Sequence, residues 1–335
     1  SGASALLRAK ALLTAARLAL GQGDYERGEE LCEESLALCR EIGDKSGTAF
    51  ALFMLGWVAW EKGNAAAACT LNEESLVLYK ELGDTEGVAF QLDELARLFS
   101  KQGDYARARA FLEESLTLHR SLGNKKGIAA SLYSLADTLF ASQGDPMRIR
   151  ALIEECMTTH REVGDMGGVA DCLYLLGQVT LGQGDAARAH SLLEESLALY
   201  KERGYVQDVA EVLLLLARTV AALDDLARAR ALYEESLVIC QNMGYSVLIA
   251  PCLEGLAGVV AAQGQTAWAA RLWGAAEALR EAIGMPLPPV ERSHYEQAVG
   301  STRVQLRESL FAKMWEEGRT CLLYTSPSPR DRQKS

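Results

Sequence analysis

Residues 103–123, GDYARARAFLEESLTLHRSLG, contain the pattern that decides the fold. A Gly-Asp pair opens this stretch, a single Gly closes it, and apolar residues recur between them at three- and four-residue steps. The apolar positions are Ala108, Phe111, Leu112, Leu116, Leu118 and Leu122. Glu113 and Glu114 lie on the opposite side of the same pattern. This periodicity predicts an amphipathic helix between two turns.

The central triplet Glu-Glu-Ser returns along the chain with a nearly constant period. It stands at residues 33–35, 73–75, 113–115, 194–196 and 234–236, and Glu154-Glu155-Cys156 fills the gap. Successive copies start 40, 40, 41, 40 and 40 residues apart, and the register continues to Gly274-Ala275-Ala276. Such a period predicts stacked units that bury their apolar stripes against one another.

Two turn signals accompany the triplet. One runs from Gly23-Asp24 to Gly264-Gln265, and it is degraded at Asp224-Asp225. The other runs from Gly43-Asp44 to Gly284-Met285. Gly suits the left-handed position that ends a helix, and a following Asp or Asn suits the cap of the next helix. Each repeat is therefore predicted to be helix A, a short turn, helix B and another short turn.

The repeat resembles a known motif. The third copy contains Leu95-Ala96, Phe99, Gly103-Asp104-Tyr105, Ala108, Leu112 and Ser115-Leu116, and the second supplies Leu55-Gly56. This pattern is similar to the tetratricopeptide repeat, although its period is longer than the usual 34 residues and the helix-ending Pro is absent. The resemblance covers residues 1–284. It implies an all-α, superhelical solenoid of about seven antiparallel helical hairpins, followed by a C-terminal helical cap.

The register divides the chain into seven repeats, a cap and a tail. The expected repeats are residues 1–44, 45–84, 85–124, 125–165, 166–205, 206–245 and 246–284, with capping helices over 285–320. Within residues 321–335, the string CLLYTSPSPRD resembles the translation of a transposon-based sequencing adaptor. We therefore expect an adaptor-derived, disordered tail after Thr320, with a natural basic tail as the alternative.

The end of the repeat region carries a second resemblance. Residues 271–277, RLWGAAE, and the following Gly284-Met285-Pro286-Leu287 look like the C-terminal end of the repeats in large bacterial LuxR/SARP-type ATPase transcriptional regulators. The resemblance implies that this chain is the sensor and interaction region of such a regulator. It also implies a cytoplasmic protein whose ATPase and helix-turn-helix modules lie outside this chain.

Charge and composition argue against several other functions. A net charge of −11 disfavours direct binding of nucleic acid, and no apolar run is long enough to span a membrane. The eight Cys form no CxxC pair and are interpreted as ordinary buried thiols of a reducing compartment. The four His lie in different repeats, without metal-ligand spacing, and are interpreted as surface or groove-lining residues.

Catalytic arrangements are equally unsupported by the sequence. Adjacent Glu residues on a helix diverge by about 100° and cannot flank one substrate bond. The Ser of the triplet has no recurring His partner. Gly43-Asp44-Lys45-Ser46 follows a helix, whereas a P-loop follows a strand. We therefore expect no enzymatic activity, no cofactor and no metal site.

The predicted binding surface is the face of the A helices, because these helices line the concave side of stacked hairpins. The register places on it Lys10, Leu13, Arg17, Leu20, Phe50, Phe53, Trp57, Trp60, Phe90, Asp93, Arg97, Lys101, Tyr133, Asp137, Phe140, Asp171, Tyr174, Gln178, Glu211, Leu214 and Arg218. Aromatic residues and Arg are common anchors of recognition surfaces. The alternative is that the aromatic face packs as core against the neighbouring repeat.

Three functional hypotheses follow from this surface. The first is a regulatory module that binds a peptide, a protein partner or other domains of the same regulator. The second is a sensor in which the aromatic cluster closes around a small-molecule inducer. The third is a stand-alone adaptor scaffold.

Overall fold

A computed structural model of the chain describes residues 2–287 and 289–320. The predicted tail, residues 321–335, lies outside the described residues. The helices are α1 Gly2–Gly21, α2 Tyr25–Ile42, α3 Lys45–Glu61, α4 Ala65–Leu82, α5 Thr85–Lys101, α6 Tyr105–Leu122, α7 Lys125–Ala141, α8 Pro146–Glu162, α9 Met166–Gly182, α10 Ala186–Arg203, α11 Val206–Ala222, α12 Leu226–Met243, α13 Ile249–Ala262, α14 Thr266–Ile283, α15 Pro289–Leu306 and α16 Glu308–Arg319. A 3-10 turn, Ser246–Leu248, precedes α13. The predicted all-α fold of tetratricopeptide-like hairpins with a helical cap is confirmed.

The chain forms two compact units. The N-terminal unit, Ser1–Asp165, stacks the four hairpins formed by α1 to α8, and each odd-numbered helix packs on the even-numbered helix that follows it. The C-terminal unit, from Met166 onward, stacks three further hairpins and adds α15 and α16. We propose that the sequence-derived boundaries delimit the repeats, since each range up to residue 284 holds one hairpin.

The turns have the conformations that their residues predict. Asp44 caps α3 by accepting a hydrogen bond from the Gly47 N–H at 3.0 Å, and Gly43 ends α2 with φ 74°. Gly43 therefore belongs to a helix end, in agreement with the rejection of a phosphate loop. Three described residues other than Gly have a positive φ, namely Gln143 with 55°, Asp224 with 65° and Arg307, between α15 and α16, with 65°.

Small residues bring the two helices of a hairpin together. A Cβ added at Gly56 would meet the Asn72 side chain, and a Cβ added at Gly177 would meet the Leu193 side chain. Buried Ala68 lies on the helix opposite Gly56. The close approach that the tetratricopeptide resemblance implies is therefore present in both units.

The Ser of the triplet fastens helix B to helix A. In each case a buried side chain donates to the carbonyl oxygen of an Ala on the preceding helix. The pairs are Ser35–Ala9 (3.0 Å), Ser75–Ala49 (2.8 Å), Ser115–Ala89 (3.1 Å), Cys156–Ala129 (3.2 Å), Ser196–Ala170 (2.9 Å) and Ser236–Ala210 (2.8 Å). The recurrence of Ser therefore has a structural cause.

The Glu pair of the triplet forms ionic links between successive B helices. The second Glu accepts from a base in the last turn of the preceding B helix, as in Arg40–Glu74 at 2.8 Å and Lys80–Glu114 at 3.3 Å. The first Glu pairs with a base on the following B helix, as in Arg148–Glu113 at 2.6 Å. About half of each side chain is exposed to solvent, so each pair adds little stability.

In the seventh repeat, Gly274-Ala275-Ala276 stands in place of the triplet, at the point where the C-terminal cap packs on α14. Helix α16 lies directly against α14, and a Cβ on Gly274 would meet the backbone oxygen of Trp315. Reciprocally, a Cβ on Gly318 would meet the backbone oxygen of Arg271. Gly274 occupies the position of the first Glu in the other repeats, which explains why that residue is lost here.

Neither thiol pairing nor a membrane span occurs in the part of the chain that the structure describes. None of its seven cysteines forms a disulfide, and all except Cys69 are buried. Burial raises the pKa of the Cys32 and Cys252 thiols to about 12. None of the described helices is both long enough and apolar enough to cross a membrane.

Candidate functional site

The A-helix face of the N-terminal unit, formed by α1, α3, α5 and α7, carries a cluster of three phenylalanines. The Phe53 and Phe90 ring centroids are 4.9 Å apart in an edge-to-face arrangement, and those of Phe50 and Phe53 are 5.9 Å apart. Phe90 is 41% exposed, whereas Phe50 and Phe53 are half-buried. An exposed aromatic surface therefore joins α3 to α5.

The two tryptophans of α3 extend this surface. Trp57 is half-buried and packs against the core that contains Leu20 and Met54. Trp60 is also half-buried, and the Lys101 Nζ lies 5.5 Å from its ring centroid, within cation–π range. The aromatic face is thus partly core and partly surface. The rings pack on the neighbouring helices with one part and leave another part exposed to solvent.

A hollow of about 290 Å³ lies beside the phenylalanines, where α1 meets α3. It is lined by Lys10, Leu13, Thr14, Arg17 and Phe50. Lys10 and Arg17 are exposed and form no ion pair with any residue that the structure describes. Two uncompensated cations therefore lie next to an aromatic ring in a protein of net charge −11.

Asp93 serves a structural role on this face. Its Oδ2 lies 3.0 Å from Nε2 of His119, and its Oδ1 accepts a hydrogen bond from the Ser131 hydroxyl at 2.9 Å. Ser131 also lies 3.3 Å from the Ser115 hydroxyl. His119 is only 4% exposed, so its interpretation as a surface or groove-lining residue is wrong. The network ties α5, α6 and α7 together.

The remaining predicted residues of the N-terminal unit differ in their surroundings. Arg97 is exposed and pairs with Glu94 at 2.8 Å. Tyr133 is half-buried. Asp137 is reached by solvent, yet the protein around it displaces bulk water, and this desolvation raises its pKa. Leu20 is buried in the core rather than lining the surface.

The C-terminal unit brings its own predicted residues together. Tyr174 hydrogen-bonds Gln178, and burial together with nearby Glu211 raises the Tyr174 pKa to about 12, which the charge of Arg218 opposes. The Tyr245 hydroxyl donates to Glu211 Oε1 at 2.9 Å. This polar cluster contrasts with the aromatic face of the N-terminal unit. Leu214 is 8% exposed and belongs to the core, so its prediction as a lining residue is wrong.

Sequence comparison assigns the family. The tetratricopeptide repeat model matches residues 7–81, 58–121 and 127–202, and a second model of the same description matches residues 174–243. These matches cover more than half of the chain. The chain belongs to the tetratricopeptide repeat family. No curated protein is significantly similar to it in sequence.

Several solved structures share the fold of this tetratricopeptide repeat protein. BtubC (BKLC) from P. vanneervenii aligns with a TM-score of 0.58 and 20% identity, over 66% of this chain and 92% of its own. The signal transduction ATPase with numerous domains (STAND) protein with a tetratricopeptide repeat sensor from Pyrococcus horikoshii gives 0.63 and 12%, over 92% and 50%. The Rap conjugation gene regulator of the plasmid pLS20, in complex with the Phr* peptide, gives 0.60 and 14%, over 84% and 76%. Identities this low show the fold alone.

As a tetratricopeptide repeat protein, the chain is a protein-interaction scaffold. The sequence also contains a signal for two polar pairs, Asp93–His119 and Glu254–Arg280, that the predictions did not include. His119 and Arg280 occupy equivalent positions on their B helices, and Asp93 and Glu254 occupy equivalent positions on their A helices. In these two repeats the acid lies 26 residues before the basic residue, whereas the equivalent His160 of the fourth repeat has no acid at that distance. Comparing the residues at these two helix positions across all repeats would have identified both pairs.

Proposed function

We propose that the A-helix face of the N-terminal unit binds a peptide or an extended segment of a protein partner. The observation that carries the proposal is the exposed edge of the Phe50–Phe53–Phe90 cluster beside the cationic hollow of Lys10 and Arg17. The partner segment combines an aromatic or large aliphatic side chain, which covers the phenylalanines, with a carboxylate that enters the hollow.

Physical chemistry favours this kind of ligand. Covering Phe90 removes apolar surface from water, and aromatic residues with adjacent Arg are frequent centres of binding energy. The local positive charge of the hollow attracts an acidic group, while the overall charge of −11 repels polyanions such as nucleic acid. Asp93 takes no direct part, because its carboxylate is held by His119 and Ser131.

Two structural neighbours support the wider setting. One is described as a STAND protein with a tetratricopeptide repeat sensor, and another was solved with a bound peptide. We therefore also propose that this chain is the sensor region of a bacterial, cytoplasmic, LuxR/SARP-type regulator. Its partner is then a signalling peptide, another protein or a further domain of the same regulator.

Selection from a random peptide display library on the purified chain tests the binding proposal. We expect the enriched peptides to combine an aromatic or large aliphatic residue with Asp, Glu or a free C-terminal carboxylate. The double variant Phe90→Ala with Arg17→Glu should weaken the selected peptides at least tenfold, because it removes the exposed ring and inverts the charge of the hollow. Fluorescence anisotropy of labelled peptides measures the change.

A matched double variant controls for general effects. Val77→Ala with Arg109→Glu makes the same kinds of change at exposed positions of the B helices, and it should leave affinity unchanged. Circular dichroism should show equal helix content in all three proteins. Peptides that bind the Phe90 and Arg17 double variant as tightly as the unaltered chain would refute the placement of the site.

A further inference from the structure

A second cavity lies in the C-terminal unit, remote in sequence from the face described above. It has a volume of about 430 Å³, is partly open to solvent, and is lined by residues of α13, α14, the turn after α14 and α15. This volume falls within the range of small-molecule sites. Neither the repeat pattern nor the proposed function accounts for it.

A buried ion pair forms one wall of this cap cavity. Arg280 Nε donates to Glu254 Oε1 at 2.6 Å, and Arg280 Nη2 donates to Glu254 Oε2 at 2.7 Å. The two side chains are only 8% and 10% exposed. The bidentate geometry fixes both groups and places a carboxylate at the cavity surface.

Two further carboxylates line the cavity and accept hydrogen bonds from side chains of α16. The Trp315 indole N–H donates to Glu277 Oε2 at 2.8 Å, and Arg319 donates to Glu277 and also to Glu281 Oε2 at 2.7 Å. Three carboxylates, on Glu254, Glu277 and Glu281, thus face the two guanidinium groups of Arg280 and Arg319. The excess of negative charge makes the cavity favourable for a cation.

A hydroxyl and an apolar turn complete the lining. The Tyr295 hydroxyl has no hydrogen-bond partner among the residues that the structure describes. Burial and the charges of Glu254 and Glu277 raise the pKa of Tyr295, so the hydroxyl stays protonated. Met285, Pro286 and Leu287 add apolar side chains to the lining. A cavity that combines apolar side chains with a few polar groups is typical of a ligand site.

We propose that the cap cavity binds a small amphipathic amine. The ammonium group donates hydrogen bonds to the carboxylates of Glu277 and Glu281 and to the hydroxyl oxygen of Tyr295, and the alkyl chain lies on Met285 and Leu287. A carboxylate ligand is repelled by the excess negative charge. A neutral alcohol of the same length fills the apolar part but does not compensate that charge.

Three six-carbon probes test the chemistry on the complete chain. Isothermal titration calorimetry at constant ionic strength should show saturable binding of n-hexylammonium with one site. 1-Hexanol should bind at least tenfold more weakly, and hexanoate should give no saturable heat. Equal binding of hexanol and hexylammonium would overturn the proposal, as would the absence of saturation with hexylammonium.

Variants locate the binding at the cavity. Leu287→Lys introduces a competing ammonium into the half-buried turn and should weaken hexylammonium at least tenfold. Val304→Lys adds the same charge at an 81% exposed position of α15 and should have no effect. Tyr295→Phe removes only the hydroxyl and should weaken binding severalfold. If Leu287→Lys and Val304→Lys behave alike, hexylammonium binds the acidic surface and the proposal fails.

Discussion

The Ser75 hydroxyl donates a hydrogen bond to the carbonyl oxygen of Ala49 across 2.8 Å, and both residues are buried. Ser75 lies on α4 and Ala49 on α3, so the bond joins the two helices of one hairpin. The same relationship, with a separation of 26 residues, recurs in the first, third, fifth and sixth repeats. The polar residue of the triplet therefore links the two helices of its hairpin.

Removal of this hydroxyl should lower the stability of the array. We expect Ser75→Ala to reduce the free energy of unfolding by about 1 kcal/mol, because a buried hydrogen bond is lost. Urea unfolding followed by far-ultraviolet circular dichroism measures the shift. Ser134→Ala, at an exposed position of α7, should leave the midpoint unchanged. Equal midpoints for both variants would contradict the proposed role.

Truncation of Asp93 and of Arg97, two charged residues of the predicted binding face, should change the free energy of unfolding by different amounts. Asp93→Ala should destabilise the protein by about 1–3 kcal/mol, because the buried His119 and Ser131 side chains lose their partner. Arg97→Ala should change stability by no more than about 0.5 kcal/mol, since its pair with Glu94 is exposed. The same urea experiment distinguishes them. A mild effect of Asp93→Ala would show that the network is dispensable.

Most of the fold could be predicted from local signals in the sequence. The period of the triplet, the Gly-Asp turns and the apolar stripes act within one repeat or between adjacent repeats, and each repeat contacts mainly its neighbours. Hence Asp44 as a helix cap and Gly56 as a crossing point follow from the sequence. The fold class and the number of hairpins needed no long-range information.

The candidate site was harder to predict because side-chain roles depend on neighbouring repeats. The register places Phe50, Phe53 and Phe90 on one face, whereas the pairing of Asp93 with His119 becomes apparent only when their two positions are compared across repeats. It also treated Leu20 as surface, since the width of a helix stripe depends on how closely the next helix packs. The cap cavity could not be predicted from the repeat register, because α15 and α16 lie outside the repeat pattern.

Thiol chemistry should separate the cysteines by burial. Cys32 is fully buried, and burial raises its pKa to about 12, so almost no thiolate exists near pH 8. Cys69 is partly exposed. We expect iodoacetamide to modify Cys69 at least about tenfold faster than Cys32, as measured by peptide mapping. In urea both should react alike. Comparable rates for the native protein would show that the hairpin around Cys32 opens readily.

Two glycines of the C-terminal unit offer a matched test of the cap. Gly274 on α14 has no room for a methyl group, because the Trp315 backbone lies against it. Gly300 on α15 is exposed, with open space around its Cα. Replacing either residue by Ala makes the same chemical change in the same kind of secondary structure. Any difference between the two variants therefore reports the packing of α16.

Gly274→Ala should displace α16 at a cost of about 1–3 kcal/mol, since the obstructing atom is backbone and cannot rotate away. Gly300→Ala should be neutral or stabilise α15 by up to about 1 kcal/mol, because Ala is the better helix former. Hydrogen exchange measured by mass spectrometry should show faster exchange across Glu308–Arg319 in the first variant only. Unaltered protection of that helix in Gly274→Ala would mean that the α14–α16 contact tolerates a wider separation. The replacement of the triplet's first Glu by Gly would then need another explanation.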